Sequence, residues 1–374
     1  MIYFDNAATG GRKPACVTGA VHAAVDGLCA NPGRGGHAAA LALAERVYEC
    51  RGLLAAFFGA ADASRVIFTK NCTEALNAAI FGLANALKGK PHFITTALEH
   101  NSVLRPLFCL ERAGKISLTV LLLQKGKILP EQFAEALRDD TAAAVFTLAS
   151  NVTGAGIDPA AVRALLPERV YLLCDGAQAC GHIPVNMRDM DALCVAGHKG
   201  MCGIQGAGAL LLSERIPLAP LLYGGTGSES ANPDMPDFLP DRLEAGTLSC
   251  PAIFSLAEGT LFVKAHMREH RKHLLTLTRR LCEELSKIDG VKLYAAPNAC
   301  GIVSFTAPLS SEQLAQRLSD EYGICVRGGL HCAPLCHEGL GTAEHGAVRA
   351  SLSYHNTEKE AERFVQAMRE ILKG

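Results

Sequence analysis

The chain has 374 residues, too many for one small core, and its 49% hydrophobic and 20% charged content is that of a packed globular protein, not a disordered one. A formal net charge of −1 gives no electrostatic drive toward nucleic acid or an anionic membrane. No apolar run approaches the ~20 residues that span a bilayer, and the start MIYFDNAATGGRKP lacks a basic head followed by an apolar stretch; no signal peptide is read, and a cytoplasmic protein is expected.

From about residue 65 to 215, seven apolar runs (RVIFT, HFITT, LTVLLL, AAAVFTL, YLLCD, ALCVAG and GALLLS) read as strands. Helical stretches such as TEALNAAIFGLANAL, PEQFAEALRD and DPAAVRALL lie between some of them. Continuous apolar strands separated by amphipathic helices predict an α/β fold, its mostly parallel seven-stranded sheet covered on both faces. Ligands collect at the C-terminal ends of such strands. Here those ends carry Thr73, Asn151, Asp175, His198 and Lys199. The stretch YGGTGSESANPDMPDFLPDRLEAGTLS breaks the pattern and is predicted as a long functional loop. A long helix is expected from roughly Pro251 to Ile288, with a break inside it. The remainder reads strand, strand, helix, strand, loop, strand, helix. The predicted division is a large domain over 15–250 and a smaller α+β domain from 1–14 and 251–374.

The fifteen cysteines are scattered through apolar contexts with no C-x-x-C pair, which argues for buried thiols in a reducing compartment and against disulfides. Lys199, in AGHKGMCGIQG, follows an apolar strand and precedes glycines. A lysine so placed can lose its proton by desolvation and form a Schiff base with an aldehyde. A lone loop lysine is ordinarily just solvated, but Asp175 closes the neighbouring strand YLLCD, and a buried carboxylate there needs a cationic partner. A protonated pyridine nitrogen is one. In FTKNCTEALN, Thr73 opens a helix whose free N–H groups suit a phosphate, unless it serves only as the cap. His100, in LEHNSV, lies just past a strand and can stack on a flat ring. Together these features describe a pyridoxal phosphate site.

With those stretches, and with YFDNAATG, SNVTG, CDGAQACGHIPV, EAGT, VRGGLHCAP and VRASLSYHNT, the chain resembles the class V aminotransferase-like enzymes of pyridoxal phosphate fold type I, in the cysteine desulfurase and selenocysteine lyase branch. The resemblance runs from Asp5 to Thr357. It implies Lys199 as the Schiff-base lysine, Asp175 as the pyridinium partner, Gln178 at the ring hydroxyl and His100 over the ring. Thr73 and His198 would hold the phosphate, Cys72 and Asn151 would also contact the cofactor, and Thr247 would reach the partner's phosphate in a homodimer. Asn151 and Arg349, with Arg34, would hold the substrate carboxylate, Arg349 by a bidentate fork. Cys332 would be the nucleophile that takes sulfur or selenium from L-cysteine or L-selenocysteine, for passage to a protein acceptor. Two departures stand out: Ala196 replaces a usual serine, and Gly33 a frequent histidine.

The stretch VRGGLHCAPLCHE also admits a metal clamp, since two cysteines and two histidines fall within 331–337. Their crowding and Pro334 favour the nucleophile reading, so no metal is expected. That reading places Cys332 on a mobile loop loosened by Gly328 and Gly329, near Arg327 and His331. Cys336 is then a buried structural thiol, or else a resolving one. Aminotransfer leaves Cys332 without a task, and a non-catalytic sulfur carrier has no use for Lys199.

Overall fold

The computed structural model describes residues 1–27, 30–33 and 35–373. The chain begins with β1 (Ile2–Tyr3), α1 (Ala15–Gly27) and α2 (Ala38–Phe58). The next strands and helices are β2 (Val66–Thr69), α3 (Cys72–Ala86), β3 (His92–Thr96), α4 (Asn101–Arg112), β4 (Ser117–Leu121) and α5 (Glu131–Glu135). They continue as β5 (Thr141–Thr147), α6 (Pro159–Leu165), β6 (Tyr171–Asp175), β7 (Ala192–Ala196) and β8 (Gly208–Leu212). After a long irregular stretch come α7 (Cys250–Leu285), β9 (Lys292–Leu293), β10 (Ile302–Thr306), α8 (Ser311–Tyr322) and β11 (Ile324–Cys325). The chain closes with α9 (Pro334–Leu340), β12 (Val348–Ser351) and α10 (Glu358–Lys373). Among the described residues no helix is long and apolar enough to cross a membrane.

The expected seven-stranded sheet is present, in the order β2-β8-β7-β6-β5-β3-β4. Only β8 runs against its neighbours. Its strands are apolar on both faces because both faces are covered. Ala144, Phe146, Leu172, Cys174, Leu193 and Val195 point into one core, with α2 and the start of α7. The alternating set Ala143, Val145, Leu173, Ala192, Cys194 and Leu210 points into the other, with α3 and α4. A third core gathers Phe4, Val303, Phe305, Ala350 and the apolar faces of α8 and α10. There β12, β10 and β9 form an antiparallel sheet, and β1 pairs with β11 in parallel.

The expected break in the long helix is absent: α7 is one helix of 36 residues. Its first turns bury Ile253, Phe254 and Leu256 in the large core, and its last turns bury Leu274, Leu277, Leu281 and Leu285 in the small one. Between them KAHMREHRKH crosses from one core to the other, largely in water. The apolar stripe therefore lapses while good helix formers carry the backbone on, and a lapse in the stripe reads in sequence as a break.

The stretch before α7 is irregular, as predicted, but it is anchored. Glu244 is buried against β2, where it accepts from Phe68 N–H at 2.5 Å and from Arg51 Nη1 at 2.9 Å, with Arg51 Nη2 on its second oxygen. Burial raises the Glu244 carboxyl above its ordinary range and the Arg51 guanidinium opposes the rise.

Candidate active site

At the C-terminal ends of β5, β6 and β7 lies a cleft of about 490 Å³ of empty space. Asp175, Lys199, His198, His100, Thr73, Cys72, Asn151, Gln178 and Ala196 line it, so the strand-end residues picked out by sequence do converge. The two segments that carry Asp175 and Lys199 onward pack backbone to backbone. Gly181 has φ +87°, and a Cβ there would stand 2.2 Å from Gly200; one on Gly200 would stand 2.4 Å from the Cys180 carbonyl. Glycine at both positions lets the lysine segment close over the aspartate.

Asp175 is 4% exposed. Its Oδ1 accepts from Ala177 N–H at 2.8 Å and from the Cys72 thiol at 3.6 Å. Burial, then the nearby Asp175 charge, pushes the Cys72 thiol well up, so it stays protonated and donates. No cationic side chain pairs with Asp175 among the described residues. Lys199 is half-buried. Burial draws its amine below the usual lysine range, and Asp175 offsets part of that fall.

His198 has its Nδ1 3.0 Å from Thr9 Oγ1, and its carbonyl accepts from Gly10 N–H at 2.9 Å and Lys13 Nζ at 3.0 Å. Burial, then the charges of Lys199 and Lys13, lower the ring to about 4. The N-terminal segment thus braces the lysine, and neither Thr9 nor Lys13 was legible as a site residue.

Two helix N-termini open on the cleft. The cap of α3 is Asn71, whose side chain accepts from Glu74 N–H at 2.9 Å. Thr73 therefore does not cap its helix. Its exposed hydroxyl lies 2.8 Å from Ser102 Oγ, in the first turn of α4. His100 caps α4, accepting from Ser102 N–H at 3.0 Å through Nδ1. Burial lowers the His100 ring to about 4. Ser102 was missed by sequence reading; its signal was its place two residues after a histidine at a helix start. Behind the floor, fully buried Glu99 accepts from Thr96 Oγ1 at 2.6 Å and Thr147 N–H at 3.1 Å, and its Oε2 has no partner. Burial pushes this carboxyl up to about 8.

Arg349 is 1% exposed. Its Nη2 lies 2.9 Å from Asp5 Oδ1 and its Nη1 donates to the Asn151 carbonyl at 3.0 Å, while Nε has no partner. Gln178 donates to the Ala7 carbonyl at 2.9 Å. Thr247 is exposed and lines a different cleft, with Lys70 and Leu222, so this chain does not bring it to Lys199. Arg34 lies outside the described residues. Gly33 sits in a turn at φ +79° with open space where a side chain would be.

Cys332 is exposed, with Sγ 3.9 Å from Arg327 Nη2. The expected loop freedom is not what surrounds it. The Cys332 carbonyl accepts from Asn101 N–H at 2.7 Å, and the His331 carbonyl accepts from Asn151 Nδ2 at 2.7 Å. The glycines serve close approach instead: Gly329 N–H donates to Ser311 Oγ at 3.1 Å, and a Cβ on Gly328 would stand 2.5 Å from the Ser311 carbonyl oxygen. Four residues on, Cys336 is 0% exposed in the large core, and burial pushes its thiol up to about 12. The two thiols of the motif thus face opposite environments. No group of three or more His, Cys, Asp or Glu side chains able to hold a metal ion occurs among the described residues.

An amine eased toward its neutral form, a buried carboxylate in no ion pair among the described residues, and two helix starts with paired hydroxyls fit a phosphorylated pyridine aldehyde. The comparisons agree in kind. The aminotransferase class-V family model matches residues 2–364. A probable cysteine desulfurase of Methanothermobacter thermautotrophicus is 31% identical over 355 residues, covering 91% of this chain and 88% of that one. The cysteine desulfurase IscS of Methanosarcina thermophila is 30% identical over 333 residues, covering 83% and 78%. The apo structure of a cysteine desulfurase from Thermococcus onnurineus NA1 superposes with a TM-score of 0.90 at 29% identity, covering 100% of this chain and 95% of that one.

Proposed function

The chain belongs to the aminotransferase class-V family, and on that premise we propose that it is a cysteine desulfurase, taking sulfur from L-cysteine onto Cys332 and releasing L-alanine. The observation that carries this reading is the pairing, in one chain, of the Lys199–Asp175 cleft with an exposed cysteine, Cys332, whose main-chain carbonyl accepts from Asn101 N–H at the start of α4, which borders that cleft. Pyridoxal 5'-phosphate, when bound, supplies an electron sink for the substrate Cα. Lys199 would be the residue that holds the cofactor through its amine and would also serve as the base that moves the Cα proton. Asp175, with the Cys72 thiol on its Oδ1, would supply the negative charge for the ring nitrogen. Thr73, Ser102 and His198 would hold the phosphate, Gln178 the ring hydroxyl, and His100 would stack on the ring. Asn151 and Arg349 hold the substrate carboxylate, Arg349 with Asp5 fixing its plane.

Cys332 Sγ then attacks the substrate sulfur. The Sγ–S bond forms as the S–Cβ bond breaks, that bonding pair stays with carbon, and the thiol hydrogen of Cys332 ends, net, on Cβ. The same residues would take L-selenocysteine, and the ratio of rates on the two amino acids decides between them. We infer a homodimer too, supported by exposed Thr247, Tyr223 and Phe238. We infer a reducing, cytoplasmic location and a protein acceptor for the sulfur, a reading that the free thiols support. Of the division into 15–250 and 1–14 with 251–374, the pairing of β1 with β11 supports grouping the N-terminal residues with the C-terminal part, while the first turns of α7 pack in the large core. The test is mass spectrometry of the Cys332 peptide after L-cysteine is added to cofactor-loaded protein. One added sulfur with stoichiometric alanine supports the reading; alanine-free turnover or an unmodified Cys332 overturns it.

A further inference from the structure

His331 and Cys332 are two consecutive non-glycine residues in left-handed backbone, with φ +50° and +58°. Each such residue costs on the order of 1 kcal/mol or more, so surrounding contacts must hold the pair there. The two main-chain bonds from Asn101 and Asn151 account for part of this. The rest leads through side chains that the desulfurase reading leaves without a task.

The His331 ring is buried and stacks on the His337 ring, centroids 5.4 Å apart at 28°. His331 Nδ1 is 3.2 Å from His337 Nε2, and His331 Nε2 is 3.2 Å from the Arg327 carbonyl. His337 Nδ1 is 2.8 Å from Thr342 Oγ1. The direction of every hydrogen follows from the Arg327 carbonyl at the end of the string; the other carbonyl near it, that of His337, lies farther from the Thr342 hydroxyl, at 3.4 Å, than His337 Nδ1 does. A carbonyl cannot donate, so His331 carries its hydrogen on Nε2 and its neutral ring accepts at Nδ1. His337 must then donate from Nε2 and accept at Nδ1 from the Thr342 hydroxyl. Burial, reinforced by the charges of Arg349 and Arg327, lowers His331 to about 3, which fits a neutral ring. Thr342, His337 and His331 thus form a one-way string of hydrogen bonds that ends on Arg327, the residue whose guanidinium faces Cys332 Sγ.

We propose that His337 is a positioning residue for sulfur transfer: by donating from Nε2 it fixes the His331 ring, and through it the left-handed backbone that sets Cys332 against Arg327 and the start of α4. The proposal rests on the desulfurase reading for its effect on turnover, but not for its effect on the thiol. His337 touches neither the cleft nor Lys199, so its loss should act on kcat and leave KM alone.

The test uses the cofactor-loaded protein and two variants. His337→Phe keeps a buried ring and loses the donor; His337→Gln puts an amide N–H near the place of Nε2. In His337→Phe, L-cysteine turnover should fall about tenfold, the loss expected when one buried hydrogen bond goes unmade. KM and the cofactor absorbance change on adding L-cysteine should stay at wild-type values. The alkylation rate of Cys332 by iodoacetamide, read on its peptide, should shift by about threefold or more as the thiol loses its fixed setting. His337→Gln should restore both rates to within about threefold of wild type. A His337→Phe protein with wild-type kcat and alkylation overturns the proposal. So does a parallel loss of KM and cofactor response, or a His337→Gln protein no better than His337→Phe. Should wild-type protein form no persulfide, the desulfurase reading fails by itself, and the alkylation rates still decide whether His337 sets Cys332.

Discussion

The two ends of the site are built by different physics. At the Lys199 end, parallel strands stop together, and whatever side chain follows each strand is delivered to the same cleft. At the Cys332 end no regular element delivers the thiol. It is held by two carbonyl hydrogen bonds, a strained backbone and a pair of buried imidazoles. The first kind of construction places chemistry through the fold; the second places it through individual side chains, each of which can be removed.

That contrast can be broken most severely from the strand-end side. Lys199→Ala should lower turnover by about 10³-fold or more and leave no cofactor linkage that borohydride can reduce; a fully active variant would remove the cofactor assignment altogether. Cys332→Ala should cut sulfur release from L-cysteine by roughly 10²-fold or more while the cofactor still responds spectroscopically to L-cysteine, since the two ends act in separate steps. Retained activity on L-selenocysteine alone would shift the substrate preference to selenium. Asp175→Asn should keep bound cofactor and lose about 10²-fold in kcat; near-wild-type rates would make this carboxylate a packing group.

Smaller effects sharpen the comparison. Cys336→Ala, in the same motif but in the core, should cost about 1 kcal/mol of stability and leave kcat unchanged, as measured by denaturant unfolding and by alanine formation. Loss of activity without loss of stability would give Cys336 a chemical part. Glu99 provides a pH test of the floor. Its folded-state carboxyl is raised by burial from 4.5 to about 8. Between those values the folded state holds a proton that the unfolded state has released, so the contribution is full below 4.5 and is lost as pH rises through about 8. Glu99→Gln should flatten that decline in unfolding free energy, and an unchanged slope would show the carboxyl ionised in the fold.

Legibility followed the same contrast. The seven strands, their parallel run and the convergence of Asp175, Lys199 and His100 were readable because apolar runs and strand ends are local in sequence. Thr73 was placed at the right helix start, but the cap belongs to Asn71, because an asparagine just before the first turn outcompetes a threonine inside it. Ser102, Thr9 and Asp5 escaped notice because their partners Thr73, His198 and Arg349 lie far away along the chain. The glycines around Cys332 suggested freedom, yet the bonds that remove it come from Asn101, Asn151 and Ser311, which no local pattern links to residues 326–338. The stretch also hid a short helix, α9, whose buried face takes Cys336 and His337.

The uninterrupted α7 has a mechanical consequence. At ~1.5 Å per residue, its 36 residues make a rod about 54 Å long. One end is clamped by Ile253, Phe254 and Leu256 and the other by Leu274, Leu277 and Leu281, so swinging one core against the other would have to bend a continuous helix or unseat one of those clamps. A stiff spar of that kind resists hinge closure. The approach of the Cys332 thiol to a substrate is therefore left to its own side chain, against a backbone that Asn101 and Asn151 hold in place.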